Sequence, residues 1–555
     1  MQLETWWIAG FLLVIAWLVP LLGDRSFASI ENFFSKVASK RSTCLLFLFL
    51  ATIGIRLLLL PILSHPQPLV HDEYSYLLQG DMFAHGRLAY PPHPMARYFE
   101  TFYVTFHPTY SSMYPPAQGA ALALGQLLGN PWIGVLLTTA GMVAALLWML
   151  QGWFPPHWAL LGAILVLARI GIFSYWMNSY WGGSVAALGA ALVLGALPRL
   201  KRDQRLTDAV LLGIGVILLA NSRPFEGFVL CIPVAFTLVF WFYRLRKEKH
   251  PIPVRRVVLP IALCLLANLA FNLYYAWRVT GSPFAIPRAV YYREYLTVSP
   301  FVWGKILPPH HYSNPQFEEF FNGWLRHRYN GTWRDLIRIE RERISIFWTF
   351  FLGSALSVPL VSLPWLLKDR RMRPVLLYFL VCLCGILSVT WFLPHYAAPV
   401  FPVFLLMLVQ GFRHLRLWKS DRRPIGVGWT RLIVVLTLLT VPLCVIEHLR
   451  SPHGSSCLSY PYEWQRSSIA SSLEKIAGDH LVIVRYAEGH DVLREWVFNA
   501  ADIDHSRIVW AREIPGVDLS PLLAYYSSRK VWIVEPDVDP PGLYPYSQSG
   551  GSLRH

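Results

Sequence analysis

The sequence predicts an all-α polytopic membrane protein of about twelve transmembrane helices, followed by a small C-terminal α/β soluble domain. Three observations predict it. Only 15% of the 555 residues are charged against 54% hydrophobic, with a mean hydropathy of +0.40, whereas soluble domains carry roughly 25% charge. The apolar residues come in blocks of about 18 to 22, long enough to cross a hydrocarbon core of roughly 30 Å. After Leu449 the pattern changes to short β-type runs.

The apolar blocks lie near 5–23, 44–63, 131–150, 157–175, 182–198, 207–221, 224–243, 257–278, 345–366, 375–393, 398–412 and 431–447. The pair around Asn221 to Pro224 reads either as two helices or as one broken helix. The first run, Trp6 to Leu22, lacks a basic leading region and a small-residue cleavage site, so a retained helix is expected and not a signal peptide. Segments 24–43, 199–206, 244–256, 367–374 and 413–430 are all more basic than acidic. With twelve spans they share one side, which the positive-inside rule makes the cytoplasm. Both termini and the two long loops, 64–130 and 279–344, then lie outside. The domain plan is a transmembrane domain over 1–449 and an extracytoplasmic α/β domain over 450–555.

The net charge of +16 does not mark a nucleic-acid binder, because the basic residues sit in short segments between apolar runs and form no continuous face. Six of the seven cysteines fall inside apolar runs, no pair has metal-ligand spacing, and no disulfide framework emerges. In the tail, 480–486, 507–510 and 530–534 read as buried strands with helix-compatible stretches near 490–500 and 519–528, a β-α-β-α-β unit with a parallel sheet. It carries no nucleotide-binding glycine pattern and is expected to be a structural or recognition accessory.

The chemistry concentrates in loop 64–130. His71-Asp72-Glu73-Tyr74-Ser75-Tyr76 is followed by Phe83-Ala84-His85-Gly86-Arg87 and then Tyr114-Pro115-Pro116. Leu77, Leu78, Met82 and Phe83 suggest a short helix lying on the bilayer, with the acidic pair at its start. Transfer of a group to a hydroxyl needs a base as the bond forms, and a partly desolvated carboxylate can serve. The alternative is that Asp72 only caps the helix. Later, Asn221-Ser222-Arg223-Pro224-Phe225-Glu226-Gly227 interrupts an apolar stretch. An ionisable residue at that depth is costly and points to function: Arg223 suits a lipid phosphate, or else pairs internally with Glu226.

Together these elements resemble the first external loop and later motifs of the GT-C glycosyltransferases, in the branch of protein O-mannosyltransferases, lipid A aminoarabinose transferases and RgtA/B/C/D-like enzymes. The resemblance covers about residues 44–415, and its motifs are short. It implies transfer of a sugar from a polyprenyl-phosphate donor to an extracytoplasmic glycan, lipid or protein acceptor, in a bacterial inner or plasma membrane. Asp72 is then the base, with Glu73 supporting it or helping to hold a divalent metal; no dedicated metal site is expected. Pro394-His395-Tyr396-Ala397-Ala398-Pro399 is similar to a late external motif of the family. Arg223, His395 and Arg87 are the implied donor-phosphate contacts. Tyr74, Tyr76, His85, Tyr114, Glu226 and Tyr396 are the implied substrate contacts.

Two departures stand out. Many relatives have Lys-Pro-Pro where this chain has Tyr114-Pro115-Pro116, so one implied phosphate ligand is missing, with Arg87 or Arg97 as candidate replacements. Residues 174–183 carry no acid where several relatives have a second one. The competing function class is a transporter or lipid flippase, which the helix count also fits; against it stand one broken segment and no repeat. A lipid-binding assembly factor is the third option.

Overall fold

The computed structural model of the chain describes residues 10–11, 13–329, 332–450 and 464–546. Among them, six helices are long and apolar enough to cross a membrane, or seven if a bent pair is one span. They are α2 (Arg41–Leu58), α5 (Pro131–Trp153), α7 (Gly183–Asp203), α9 (Pro224–Lys247), α10 (Val254–Thr280) and α16 (Ile425–Arg450), with α12 (Trp333–Phe351) and α13 (Ala355–Lys368) bent by 106° as the pair. An amphipathic helix, α1 (Asp24–Ser39), precedes them. Shorter apolar helices fill other expected spans: α6 (Pro156–Val166), α8 (Leu206–Ala220), α14 (Arg373–Ser388) and α15 (Phe401–Arg416). The expected span at 5–23 falls partly outside the described residues. Asn221 to Arg223 form a turn between α8 and α9.

The helices sort by what they touch. Gly183–Asp203 is 78% buried and Pro131–Trp153 67%, whereas Val254–Thr280 is 6% buried and Ile425–Arg450 17%. The first two make the centre. The last two present leucines and aromatics outward, as a lipid-facing layer does. Small residues let the central helices approach: a Cβ on Gly134 of α5 would lie 1.9 Å from the Ala121 carbonyl oxygen, so only glycine permits that crossing.

Loop 64–130 is compact. It holds α3 (His71–Ala84), an antiparallel pair β1 (Val104–Thr105) and β2 (Ser111–Ser112), and α4 (Pro116–Leu127). Arg56, fully buried on α2, ties the loop's start down. It donates to the Leu63 and Ser64 carbonyls at 2.8 and 2.9 Å and to Asn178 Oδ1 at 3.1 Å. The loop at 279–344 includes α11 (Pro287–Tyr295).

The C-terminal sheet has the order β4-β3-β5-β6, from β3 (His480–Val484), β4 (Ile508–Arg512), β5 (Lys530–Glu535) and β6 (Gly542–Pro545). The three expected strands are present and parallel; β6 adds antiparallel to β5. Helices α17 (Trp464–Glu474) and α18 (Ser520–Tyr525) flank them. The helix expected near 490–500 does not form. There Asn499 bonds both ways with the Trp510 backbone at 2.8 Å, covering the sheet edge, and Glu495 pairs with buried Arg512 at 2.9 Å. Satisfying an open strand edge outweighs local helix preference.

This unit shares a core with loop 64–130. Leu78, Met82, Phe99 and Phe106 pack with Leu481, Val509, Ala511 and Leu522. The expectation that Leu78 and Met82 face the bilayer is therefore corrected: they are 0% and 1% exposed against the sheet. The cysteine expectation also changes, since Cys444 is disulfide-bonded.

Candidate active site

The site grows from the first turn of α3. Glu73 reaches back over the helix start, its Oε2 accepting from the Leu69 and Val70 N–H groups at 2.9 and 3.4 Å. Its Oε1 accepts from the Tyr180 N–H at 3.1 Å. This is the acidic half of a capping box, extended to clasp the 174–182 segment. Glu73 is 3% exposed, and burial pushes its carboxyl up to about 7.

Asp72 points elsewhere. Its Oδ1 accepts a hydrogen bond from the Tyr114 hydroxyl, its Oδ2 lies 3.4 Å from His71 Nδ1, and its side chain is 21% exposed. The Tyr114 ring stacks on Tyr76 at 4.3 Å. The β1–β2 pair brings Tyr103 beside Tyr114, with ring centroids 5.8 Å apart. Tyr103 has φ 61°, a left-handed conformation that costs an aromatic residue about 1–3 kcal/mol. It is held there from three sides: Ser75 Oγ and the Met113 N–H donate to its carbonyl at 2.7 and 3.1 Å, and its own N–H donates to the Tyr291 hydroxyl at 2.8 Å.

Opposite stands a cationic wall. Arg223, in the α8–α9 turn, is 3% exposed and lies 4.1 Å over the Tyr396 ring. Among the described residues its guanidinium has no hydrogen-bond or ion-pair partner, Glu226 included. Arg288 of α11 donates from Nε to the Tyr292 hydroxyl at 2.7 Å. The fields overlap. Arg223 senses Tyr76, Tyr396, Glu226 and Arg288; Arg288 senses Tyr396, Glu226 and Tyr114; Tyr76 senses both Arg223 and Asp72. Arg223, Arg288, Glu226 and, through Tyr76 and Tyr114, Asp72 thus belong to one tyrosine-rich region, whose buried phenols are pushed above their ordinary range and stay protonated.

His395 sits behind this wall. Its Nδ1 shares a hydrogen bond with the Tyr175 hydroxyl at 3.0 Å, its backbone N–H donates to the same oxygen at 2.8 Å, and its ring lies 4.9 Å from Trp181. Burial first, and Arg223 second, hold it well below the ordinary histidine range. Its ring also lies 4.9 Å from that of Tyr396, the residue over which Arg223 sits.

The expected residues therefore divide. Asp72, Tyr76, Tyr114, Arg223, Glu226 and Tyr396 come together. Tyr74 does not: it donates to the Pro68 carbonyl at 3.1 Å and packs at a tilt against Phe498 of the C-terminal unit, ring centroids 4.7 Å apart. His85 and Arg87 lie at the other end of α3, exposed, Arg87 over Tyr90 at 4.9 Å; fourteen residues of helix separate roughly 20 Å. Arg97 is exposed as well. Arg288 and Tyr103 were missed. A long loop dilutes the meaning of any one arginine, although Pro287-Arg288 at a helix start with Tyr292 four residues on was a readable signal.

Both Glu73 oxygens serve backbone N–H groups, and among the described residues no three His, Cys, Asp or Glu side chains gather as a ligand set.

No protein-family model matches the chain, and no curated protein matches its sequence. Among solved structures, the chain is similar to ArnT from Cupriavidus metallidurans bound to undecaprenyl phosphate: TM-score 0.46, 14% identity, 88% of this chain and 92% of that one. It is similar to the Archaeoglobus fulgidus oligosaccharyltransferase tethered with an acceptor peptide: TM-score 0.45, 11% identity, 80% of this chain. This chain spans only 62% of that protein's length. The archaeal oligosaccharyltransferase AglB from Archaeoglobus fulgidus, in complex with an inhibitory peptide and a dolichol-phosphate, has a TM-score of 0.43 at 12% identity over 89% of this chain and 69% of that one.

Proposed function

We propose that this chain is a membrane glycosyltransferase of the GT-C type, moving a sugar from a polyprenyl-phosphate donor to an acceptor hydroxyl outside the cytoplasm. One observation carries the reading: the Tyr76–Tyr114 stack, whose Tyr114 holds Asp72 and whose Tyr76 lies in the fields of both Asp72 and Arg223, brings an acidic and a cationic group into one region, although the chain separates Asp72 from Arg223 by about 150 positions.

Each group has a step to perform. The acceptor oxygen attacks the anomeric carbon, and its proton passes to Asp72 Oδ2, the oxygen that Tyr114 leaves free. The bond from the anomeric carbon to the phosphate oxygen breaks, and its electron pair leaves with the polyprenyl phosphate. Arg223 and Arg288 stabilise the charge that develops there, the arrangement that contributes most when fixed in advance. Attack from the face opposite the phosphate inverts the anomeric centre. Glu73 is assigned no chemistry: it holds the α3 start so that Asp72 is aimed.

The test is to incubate the purified chain with a panel of polyprenyl-phosphate sugars together with a panel of glycan, lipid and peptide acceptors and follow released polyprenyl phosphate. Wild type should release it and Asp72→Asn should not, with both proteins melting at the same temperature. Full release by Asp72→Asn removes the base assignment; release by neither, with lipid movement across liposomes instead, favours a flippase.

A further inference from the structure

A cavity of about 410 Å³ opens at the 279–344 loop, lined by Glu100, Glu294, Tyr295, His310, His311 and Tyr312 together with prolines. Its size suits a small ligand. Its walls are built. Tyr295, 7% exposed, donates its hydroxyl to Glu100 Oε1 at 3.0 Å. The Tyr312 hydroxyl donates to the Tyr295 carbonyl at 2.6 Å, and its ring stacks with His310 at 6.1 Å and 17°. From behind, Arg512 of the C-terminal unit donates to Gln316 at 2.8 Å and to the Glu100 carbonyl at 3.4 Å.

The lining decides the ligand class. Among the described residues no lysine or arginine lines the cavity, so it does not suit the phosphate of a lipid donor. Neither glutamate makes an ion pair among the described residues, leaving acceptor oxygens with unused lone pairs. Flat rings beside them offer apolar faces. Hydrogen-bond acceptors next to aromatic faces match a sugar, which donates from its hydroxyls and stacks through its C–H face. Both carboxyls are raised by burial, so they bind protons or donors more readily than free ones.

Packed rings run from the cavity wall to Asp72. Tyr295 stacks on Tyr291 at 4.6 Å, Tyr291 lies 5.8 Å from Tyr103, and Tyr103 lies 5.8 Å from Tyr114, which holds Asp72. We infer that this cavity is a saccharide-binding subsite that holds the acceptor, which makes the acceptor a glycan and not a peptide or a simple lipid. The acceptor role rests on the transferase reading; saccharide binding does not.

The two are separable with the full chain in nanodiscs, fluorescently labelled and applied to a printed oligosaccharide array and to a peptide array. Wild type and Asp72→Asn should be captured equally on at least one saccharide class. Glu294→Gln, at an exposed position, should lower that capture about ten-fold, as loss of a hydrogen bond to a charged group does. Tyr312→Ala should do the same by removing the ring face. Capture on no saccharide, capture unchanged in both variants, or capture on peptides alone overturns the inference. Saccharide capture by a chain that never releases polyprenyl phosphate keeps the site and removes the transferase reading instead.

Discussion

Replacing Arg223 with glutamine separates a catalytic role from a structural one, because the structure gives the two roles very different sizes. Arg223 has no hydrogen-bond or ion-pair partner among the described residues; its contact is the Tyr396 ring at 4.1 Å. A cation–π contact of this kind contributes about 1–2 kcal/mol when buried. Arg223→Gln should therefore destabilise the fold by about that amount or less, and no orphaned carboxylate within ion-pair distance is left behind. On the reaction the effect is larger. Removing one fixed donor from a developing negative charge costs about 2.7–4 kcal/mol, a factor of roughly 10²–10³. Arg288 remains in place, so the lower end, about a hundred-fold in kcat/KM, is expected, with a further loss in the Arg223→Gln/Arg288→Gln double variant. The assay is release of polyprenyl phosphate from a polyprenyl-phosphate sugar, beside a thermal melt of the same preparation. A kcat/KM within about two-fold of wild type would show that the guanidinium does not meet the leaving group. An equally large loss of fold stability would show that Arg223 serves packing.

Further outcomes follow from the same geometry. Glu73 titrates near 7 in the fold against an ordinary 4.5, so the unfolded chain releases this proton first as pH rises. Its contribution to stability is full below about pH 4.5 and falls by roughly 3 kcal/mol as pH climbs to about 7. Thermal melts of wild type against Glu73→Gln should show that slope flattened in the variant; parallel slopes would exclude it. Glu495→Gln leaves the Arg512 guanidinium, 1% exposed in its side chain, without its carboxylate. Breaking a buried pair in this way costs about 3–5 kcal/mol, visible as a lowered melting temperature. Gly134→Ala puts a methyl group 1.9 Å from a backbone oxygen of α4. It should cost at least about 1–3 kcal/mol and slow transfer by shifting Tyr114, which lies just before α4; an unshifted melt and rate would mean the helices separate freely.

Much of this architecture is written in periodicity and length. The blocks at 131–150 and 182–198 are helices because nothing else satisfies their backbone in an apolar setting, and the β-branched runs at 480–484 and 530–534 are strands for their composition. The losses have physical causes. Leu78 and Met82 look the same in sequence whether they meet lipid or a distant sheet, because apolar side chains carry no record of their partner. The 490–500 segment has helical composition, yet Asn499 and Glu495 are drawn off by a strand edge and a buried arginine that lie elsewhere in the chain. Arg288 is one arginine among several in a long loop, and only the fold turns it toward Tyr396 and Glu226.

The acidic pair shows how far local physics alone can go. Asp72 and Glu73 are neighbours, and sequence offers both as candidates for the same work. A helix separates consecutive side chains by about 100°, so the two cannot share one environment once α3 begins at His71. Glutamate at the third helical position is the residue that reaches back to cap free N–H groups, and Glu73 does so at 2.9 Å from the Leu69 nitrogen. That commitment fixes the phase of the helix, and the phase leaves Asp72 turned to Tyr114. Exchanging the pair, as Asp72→Glu with Glu73→Asp, keeps charge and composition but shortens the clasp and lengthens the base. If aiming matters, the exchanged protein should lose stability and transfer together. Each single change should lose mainly one: Glu73→Asp the melting temperature, Asp72→Glu the rate.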